Sequence, residues 1–417
     1  MNRVKKRYEM ENYPLSSIPS AARSKWLSLT MVWAGFVLAI SNYLTGSLVA
    51  GGLNLSRSFM AIVHGNVLLF VGALFMGLIA QDTGLSTAFS SRYAFGVRGS
   101  KFVSGLISLS FIGWGAIGIG LAAESLSHAI SLSDGWLVLV MTILFGLTAI
   151  RGFKGMLQIS SVAIPLILFI SFFGLYQVLQ DRNIHMSMLL LIEPSEARGF
   201  GATVSIVVGS WIAGAISSPD ILRYALRKRD VFISLLLALV IINSIQMGIG
   251  AVMGTAVGSS DLPHILGHLG FGAFGILLLV FMAWTTADNN FYAAGLGLTN
   301  FMNNRNRMLA TVVSVMLAGV LALLGFYHYL GEFLSSISLI FAPVGGIIIA
   351  DFYLNKVGQI NHDLFYQGVR WKAMISLMLG IALGIWIPFP MPFFISFVGA
   401  ALLYTIIILL TRKERIA

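Results

Sequence analysis

Stretches of about 20 mostly apolar residues, the length needed to cross a bilayer core of about 30 Å, recur from Leu27 to Leu410 with short polar connections between them. A chain built this way has few options. Lipid offers no partner to an unpaired N–H or C=O, so its spans must be helices or a closed barrel. A barrel needs segments of about ten residues that alternate in polarity, and runs such as Leu235 to Ile242 do not alternate. The expectation is an all-α membrane protein. Twelve transmembrane segments are read, at 27–52, 59–81, 101–127, 134–152, 157–179, 200–218, 231–257, 270–298, 308–328, 332–352, 373–388 and 392–410. With 57% hydrophobic and 10% charged residues, the 417-residue chain carries too little charge to cover a soluble surface.

The positive charges set the expected orientation. Twenty-three of the 26 lysines and arginines fall on one face, leaving Arg57, Arg182 and Arg198 on the other. Cytoplasmic loops collect Lys and Arg, so both termini are expected in the cytoplasm, with the chain multi-pass in the plasma (inner) membrane. The net charge of +10 is then an orientation signal, and no nucleic-acid partner is expected. The first 26 residues are polar and basic with no Ala-x-Ala-type site after them, so no cleaved leader is expected. The absence of cysteine excludes disulfides, Fe–S clusters and thiolate zinc sites. No Walker-type loop is present, so no ATP partner is expected. His264 and His268 share i, i+4 spacing in an external loop without an accompanying carboxylate, which argues against a metal site.

Segments 1 and 6 share an interruption. Segment 1 carries Trp33-Ala34-Gly35-Phe36, and segment 6 carries Gly209-Ser210-Trp211-Ile212-Ala213-Gly214-Ala215. Glycine costs about 1 kcal/mol in a helix interior. The two interruptions stand five segments apart, the pattern of an inverted repeat in which a discontinuous helix opens each half. Close helix packing at glycine is the plainer alternative. The division that follows is a tail at 1–26 and a core at 27–352, whose halves run about 27–180 and 200–352. Peripheral helices 11 and 12 at 353–410 and a tail at 411–417 complete it. In segment 10, Ala342-Pro343-Val344-Gly345-Gly346 predicts a bend.

Polar groups inside a membrane are functional candidates by default, and the densest set is Trp284-Thr285-Thr286-Ala287-Asp288-Asn289-Asn290 in segment 8. Two adjacent threonine hydroxyls, with carbonyls freed at the break in segment 1, are suited to a desolvated Na⁺. The alternative is that each hydroxyl bonds back to its own helix. Asp288 has a possible charge or proton role, or connects helices through Asn289, Asn290 or a neighbouring backbone. Trp114 and Trp211 lie in mid-segment, away from the headgroup belt, where a planar ring can stack between them or where they simply pack. Glu124 and Asp351 are expected near the interface, and Asp220 as the cap of its following turn beside Arg223. The 2–3 loop, Ser90 to Gly96, is expected along the membrane surface with Arg92 toward phosphate headgroups.

Several stretches together resemble one family: Ser91 to Ser100, Gly113-Trp114, Gly209 to Gly214, Trp284 to Asn289, and Pro343-Val344-Gly345-Gly346 through Ala350-Asp351. In order and spacing they are similar to the nucleobase-cation-symport-1 family, and within it to the bacterial cytosine permeases, over nearly the whole chain. The resemblance implies a LeuT-type 5+5 inverted repeat, with segments 1, 2, 6 and 7 as a bundle and 3, 4, 8 and 9 as a scaffold. Segments 5 and 10 are implied as gates and 11 and 12 as peripheral. It implies a sodium site of carbonyls at Gly35, Leu38 and Met282 and hydroxyls at Thr285 and Thr286; some relatives use protons. It implies a substrate pocket at Phe111, Trp114, Ser210, Trp211, Ala213 and Gly214, beside Ala39. Two departures stand out. Phe111 occupies the place of a Gln that hydrogen-bonds cytosine, and Ala213 the place of a usual Ser. Cytosine, a purine, a hydroxymethylpyrimidine-like precursor and other azole-type rings all stay open.

The expected function is therefore import of a small heterocycle by cation symport through alternating access, with Na⁺ as the coupling ion, or H⁺, and no other cofactor. The chain is expected to act as a monomer. An intramembrane enzyme would need a nucleophile–base pair or metal cluster facing a cavity, and a channel a ring of repeated filter residues; neither is visible.

Overall fold

The computed structural model describes residues 13–130, 132–181, 184–258, 272–304, 306–355 and 365–413. The basic tail before Tyr13, the stretch with His264 and His268, Arg182, and the last four residues of the C-terminal tail lie outside the described residues.

Helices stand on every one of the twelve apolar stretches. In chain order they are α1 (Trp26–Val37), α2 (Ile40–Gly52), α3 (Leu55–Thr83), α4 (Thr87–Ile130), α5 (Asp134–Ala149), α6 (Phe153–Asp181) and α7 (Phe200–Ile216). They continue with the short α8 (Pro219–Leu222), then α9 (Lys228–Val257), α10 (Gly272–Met302) and α11 (Arg307–Leu323). The last three are α12 (Leu330–Leu354), α13 (Trp371–Trp386) and α14 (Pro392–Lys413). Among the described residues, six spans are long and apolar enough to cross a bilayer by themselves, and α1 with α2 qualifies as a pair bent by 62°. The outer surface is what lipid requires: Leu109, Ile143, Phe169, Met316 and Trp386 are exposed apolar side chains.

The helices pair in a consistent way. Most intimately, α4 lies along α10, α2 along α9, and α3 along α7, while α1 runs beside α6. Helices α13 and α14 pack on each other and on α12. Glycine allows the closest approaches: a side chain at Gly250 would strike the Tyr43 backbone, and one at Gly46 the Met247 carbonyl. Within α9, Leu236–Ile242 forms a π-helical stretch, an insertion that turns the residues after it relative to those before. Asn243 follows at once. Its amide donates to Asn66 Oδ1 at 2.8 Å and its Oδ1 accepts from Asn42 at 2.6 Å, tying α2, α3 and α9 together in mid-bundle.

A strap of residues from Tyr13 to Ser24 crosses one end of the bundle. Ser17 donates to the Thr83 carbonyl at 2.8 Å, and the Ile18 N–H to Gly84 O at 3.0 Å. Gly84 caps α3 in the left-handed region at φ 71°, which glycine adopts without steric cost. Arg23 reaches Gln81 O, and Ser24 pairs with Tyr224 and Leu226. Beneath the strap, Arg223 donates to Tyr13 O and to Tyr292 Oη, both at 2.7 Å.

Several sequence expectations need correction. Residues 90–96 do not lie along the membrane surface; they form the buried start of α4, bent at Gly96. Arg92 turns inward, its Nε donating to Asn300 Oδ1 at 2.6 Å and its Nη2 to Asn303 Oδ1 at 3.0 Å. The side-chain amides absorb its charge, so no headgroup is needed. Asp351, in the last turn of α12, is buried against protein, accepting from Tyr404 at 2.6 Å and Asn355 at 2.7 Å. Asp220 is buried too and accepts from the Thr87 N–H at 2.8 Å, so it caps α4 instead of its own turn. Helix α12 continues through Pro343 without a break.

Candidate functional site

The first apolar segment breaks at mid-length. Helix α1 ends at Val37, Leu38 takes φ −77° and ψ 59°, and Ala39 is extended before α2 begins. These angles make Leu38 the centre of an inverse γ-turn, closed by the Ala39 N–H on Val37 O at 2.8 Å. The turn diverts hydrogen bonds. In a continuing helix Ala39 N–H would serve Gly35 O, and Asn42 N–H would serve Leu38 O; here Asn42 N–H goes to Ala39 O at 3.1 Å. The carbonyls of Gly35 and Leu38 thus lose their helical partners. Asn42 also caps the broken end by donating its amide to Val37 O. The break comes just after the Trp33–Phe36 stretch where the sequence pattern places it.

Segment 6 behaves differently. Helix α7 runs unbroken through Gly209 to Ala215 and ends at Ile216, with a turn at Ser217–Ser218 before α8. The predicted interruption at Gly209–Ala215 is therefore corrected to a turn further along. Ser210 explains part of this, since its hydroxyl donates to Val207 O at 2.8 Å within the same helix.

Helix α10 faces the break. Thr286 Oγ1 lies 3.5 Å from Phe36 O across the gap between helices. Thr285 Oγ1 donates at 2.9 Å to Phe281 O and lies 3.3 Å from Met282 O, as the back-bonding alternative anticipated. A side chain at Gly35 would meet Thr285 Cβ at 3.4 Å, which places Thr285 directly against the α1 end. Thr285 and Thr286 thus face the α1 end at Gly35 and Phe36, Met282 lines a small cavity with Thr286 and Ala39, and Leu38 beside Ala39 is buried as they are.

The aromatic residues meet beside it. Trp114 and Trp211 touch edge to face, with centroids 6.3 Å apart and planes at 68°. They meet each other directly instead of forming the open sandwich the sequence suggested, and Phe36 packs against Trp211 beside them. Its ring is 4.8 Å from Trp211, 5.9 Å from Trp33 and 6.2 Å from Phe111. Phe333 closes the other side, 5.6 Å from Trp114. Gly214 leaves room for Trp211 and Phe36, a Cβ there standing 3.5–3.6 Å from both rings. A cavity of about 20 Å³ remains among Ala39, Ile40, Trp114, Met282 and Thr286, room for about one water and none for a planar ring. The Trp211 Nε1 is buried here without an acceptor among the described residues, and Ala213 packs alongside.

Asp288 is not part of this group. It points to α5, where its Oδ1 lies 2.6 Å from Thr148 Oγ1, and Trp284 Nε1 donates to the same hydroxyl at 2.8 Å. Its other oxygen has no partner among the described residues. Sequence reasoning missed Phe36, Phe333, Thr148, Asn42 and Asn243. Asn42 and Asn243 had a local signal, an amide within an apolar segment.

Residues 17–407 match a family described as permeases for cytosine/purines, uracil, thiamine and allantoin. The cytosine permease of Escherichia coli (strain K12) is 29% identical over 409 residues, covering 97% of this chain and 96% of that one. The fold is similar to that of Mhp1, a nucleobase-cation-symport-1 family transporter solved in a closed conformation with bromovinylhydantoin bound. That likeness has a TM-score of 0.85 at 20% identity, over 97% of this chain and 96% of Mhp1. A Na⁺-coupled sialic acid symporter in its substrate-bound outward-open state shares the fold with a TM-score of 0.68 at 12% identity, over 97% and 92%. From this match over almost its full length, together with the helical fold and its broken first span, the chain belongs to the nucleobase-cation-symport-1 family of membrane permeases and is a transporter, not an enzyme.

Proposed function

We propose that the protein is a secondary transporter that imports a nucleobase or similar small heterocycle together with Na⁺, by alternating access. It works as a monomer in the plasma (inner) membrane with both termini in the cytoplasm. One observation carries the reading: the γ-turn at Leu38 releases the Gly35 and Leu38 carbonyls beside two hydroxyls of α10, against an aromatic cluster. Neutral oxygens from a broken helix and its neighbour suit an alkali ion. The Met282 carbonyl, relieved of Thr285 when that hydroxyl turns, completes the set. The substrate ring enters where Phe36, Trp114 and Trp211 now touch. Stacking on such faces supports a planar ligand by about 0.5–1.5 kcal/mol per contact beyond its burial, and the free Trp211 N–H offers one polar anchor. The described conformation leaves no room for the ring, so binding requires these aromatic side chains to part. Segments 1–5 and 6–10 act as the two inverted halves of the moving core.

The test is uptake of radiolabelled cytosine, uracil and purines into proteoliposomes under an imposed Na⁺ gradient. A Na⁺ gradient should drive accumulation, and Thr285→Ala combined with Thr286→Ala should remove that stimulation. A variant that keeps wild-type sodium dependence removes the pair from the ion site. Phe111→Gln tests substrate choice: restoring an amide should tighten cytosine binding several-fold, within the range of about 1–3 kcal/mol that one buried polar contact can supply.

A second reading, proton coupling, is favoured by Asp288, whose buried carboxyl has a single partner at Oδ1. Under that reading a proton gradient drives uptake without Na⁺, and Asp288→Asn abolishes it.

A further inference from the structure

We infer that Ser160, on α6, is an additional oxygen ligand of the cation held at the break in the first span; the inference rests on the Na⁺ reading above. Ser160 is fully buried, and its hydroxyl has no hydrogen-bond partner among the described residues. Many buried helical hydroxyls bond back to their own helix, as Ser108 does to Ser104 O at 2.9 Å and Ser314 to Ala310 O at 2.9 Å, whereas Ser160, like Ser110 on α4, does not. The back-bond is the easy solution for a serine in an apolar helix, and leaving a hydroxyl unsatisfied costs about 1–3 kcal/mol. Ser160 forgoes it and presses on Gly35: a Cβ at that glycine would strike Ser160 Oγ and stand 3.4 Å from Thr285 Cβ.

Gly35 therefore sits between two hydroxyl-bearing residues from two other helices. Its own carbonyl is one of those diverted by the γ-turn. An unpartnered hydroxyl on α6, the residue with a freed carbonyl on α1 and Thr285 on α10 thus meet at Gly35, with Thr286 the next residue along α10. Neutral oxygens arriving from three helices on one buried spot form the kind of shell that replaces water around an alkali ion. Gly35 is explained by the same contact, since any larger residue would displace the Ser160 oxygen. A cavity of about 280 Å³ lies under the strap, lined by Ala22, Arg23, Ser24, Lys154, Leu157 and Tyr224 among others. Leu157 is about one helical turn from Ser160 on α6.

The experiment uses the purified full chain in detergent, with Na⁺ alone as probe. Its unfolding midpoint is followed as choline chloride is replaced by NaCl at constant ionic strength. Wild type should show saturable stabilisation by Na⁺. Ser160→Ala should raise the half-saturating Na⁺ concentration about tenfold, a difference near 1.4 kcal/mol, with little change of the midpoint in choline. Ser160→Thr, which keeps the hydroxyl, should stay close to wild type. If Ser160→Ala titrates like wild type while Thr285→Ala has lost its response, Ser160 is no ligand and the Na⁺ reading stands. Ser160 is equally excluded as a ligand if Ser160→Ala lowers the midpoint by the same amount in both salts, which marks a packing role. If wild type shows no sodium-specific stabilisation, the Na⁺ reading fails and takes this inference with it.

Discussion

Both the first and the sixth apolar segments place tryptophan beside glycine at mid-length, yet one breaks there and the other does not. Helix α1 stops at Val37 and the chain turns by 62° into α2. Helix α7 passes Gly209 and Gly214 and ends at Ile216. Glycine permits a break but does not cause one. Opening a helix inside lipid strands backbone groups, each at a cost of several kcal/mol unless something answers them. At the first break something does: Asn42 bonds the Val37 carbonyl and Thr286 faces that of Phe36. Around Gly209–Gly214 the Ser210 hydroxyl is spent on its own helix. Where the sixth segment does turn, partners reappear, with Ser218 donating to Ala73 O at 3.0 Å and Asp220 reaching Thr87.

That contrast can be broken by substitution. The largest effect is expected from Asn42→Leu, which takes one of two donors from Val37 O, leaving the Ala39 N–H, and removes the Asn42 donor from Asn243 Oδ1. With about 1–3 kcal/mol for the orphaned Asn243 acceptor and the lost bond to Val37 O besides, the unfolding midpoint in detergent should fall sharply and uptake should disappear; an unchanged midpoint would mean that Asn42 does not hold the break. Next is Gly35→Ala. Its Cβ would strike Ser160 Oγ, so a loss of about 1–3 kcal/mol from overpacking is expected, with weakened sodium dependence beyond the stability loss. The smallest effect belongs to Gly214→Ala. Its Cβ meets Trp211 and Phe36 at ordinary contact distance inside an intact helix, so stability should change by less than about 1 kcal/mol. A collapse of Gly214→Ala comparable with that of Gly35→Ala would show that α7 needs to open where α1 does.

The same contrast explains what the sequence makes legible. The bilayer leaves one secondary structure to each long apolar run, so the helices could be placed from Leu27 to Leu410 by length and polarity. Thr285, Thr286, Trp114 and Trp211 stood out because polar or aromatic residues at mid-membrane are rare. What could not be seen was pairing across distance. Asn42 with Asn243, Arg92 with Asn300 and Thr148 with Asp288 are separated by 140 residues or more, and no periodicity links such partners. Arg92 misled for that reason: an arginine at the end of an apolar run looks like a headgroup anchor until two asparagines from α10 and its exit are brought beside it. Ser160 was hidden more completely, since a serine in an apolar helix usually looks after itself.

The strap carries a consequence for how the polypeptide is made. Arg23 and Ala225 are 202 positions apart, and Trp26 N–H is held by Asp230 Oδ1 at 3.1 Å. The strap can meet the end of α3 early, through Gln81, Thr83 and Gly84, but its bonds to Ala225, and the Trp26 bond to Asp230, must wait until about 200 further residues have been made. Only then can that end of the molecule be sealed, so the strap is docked in two stages set far apart in synthesis.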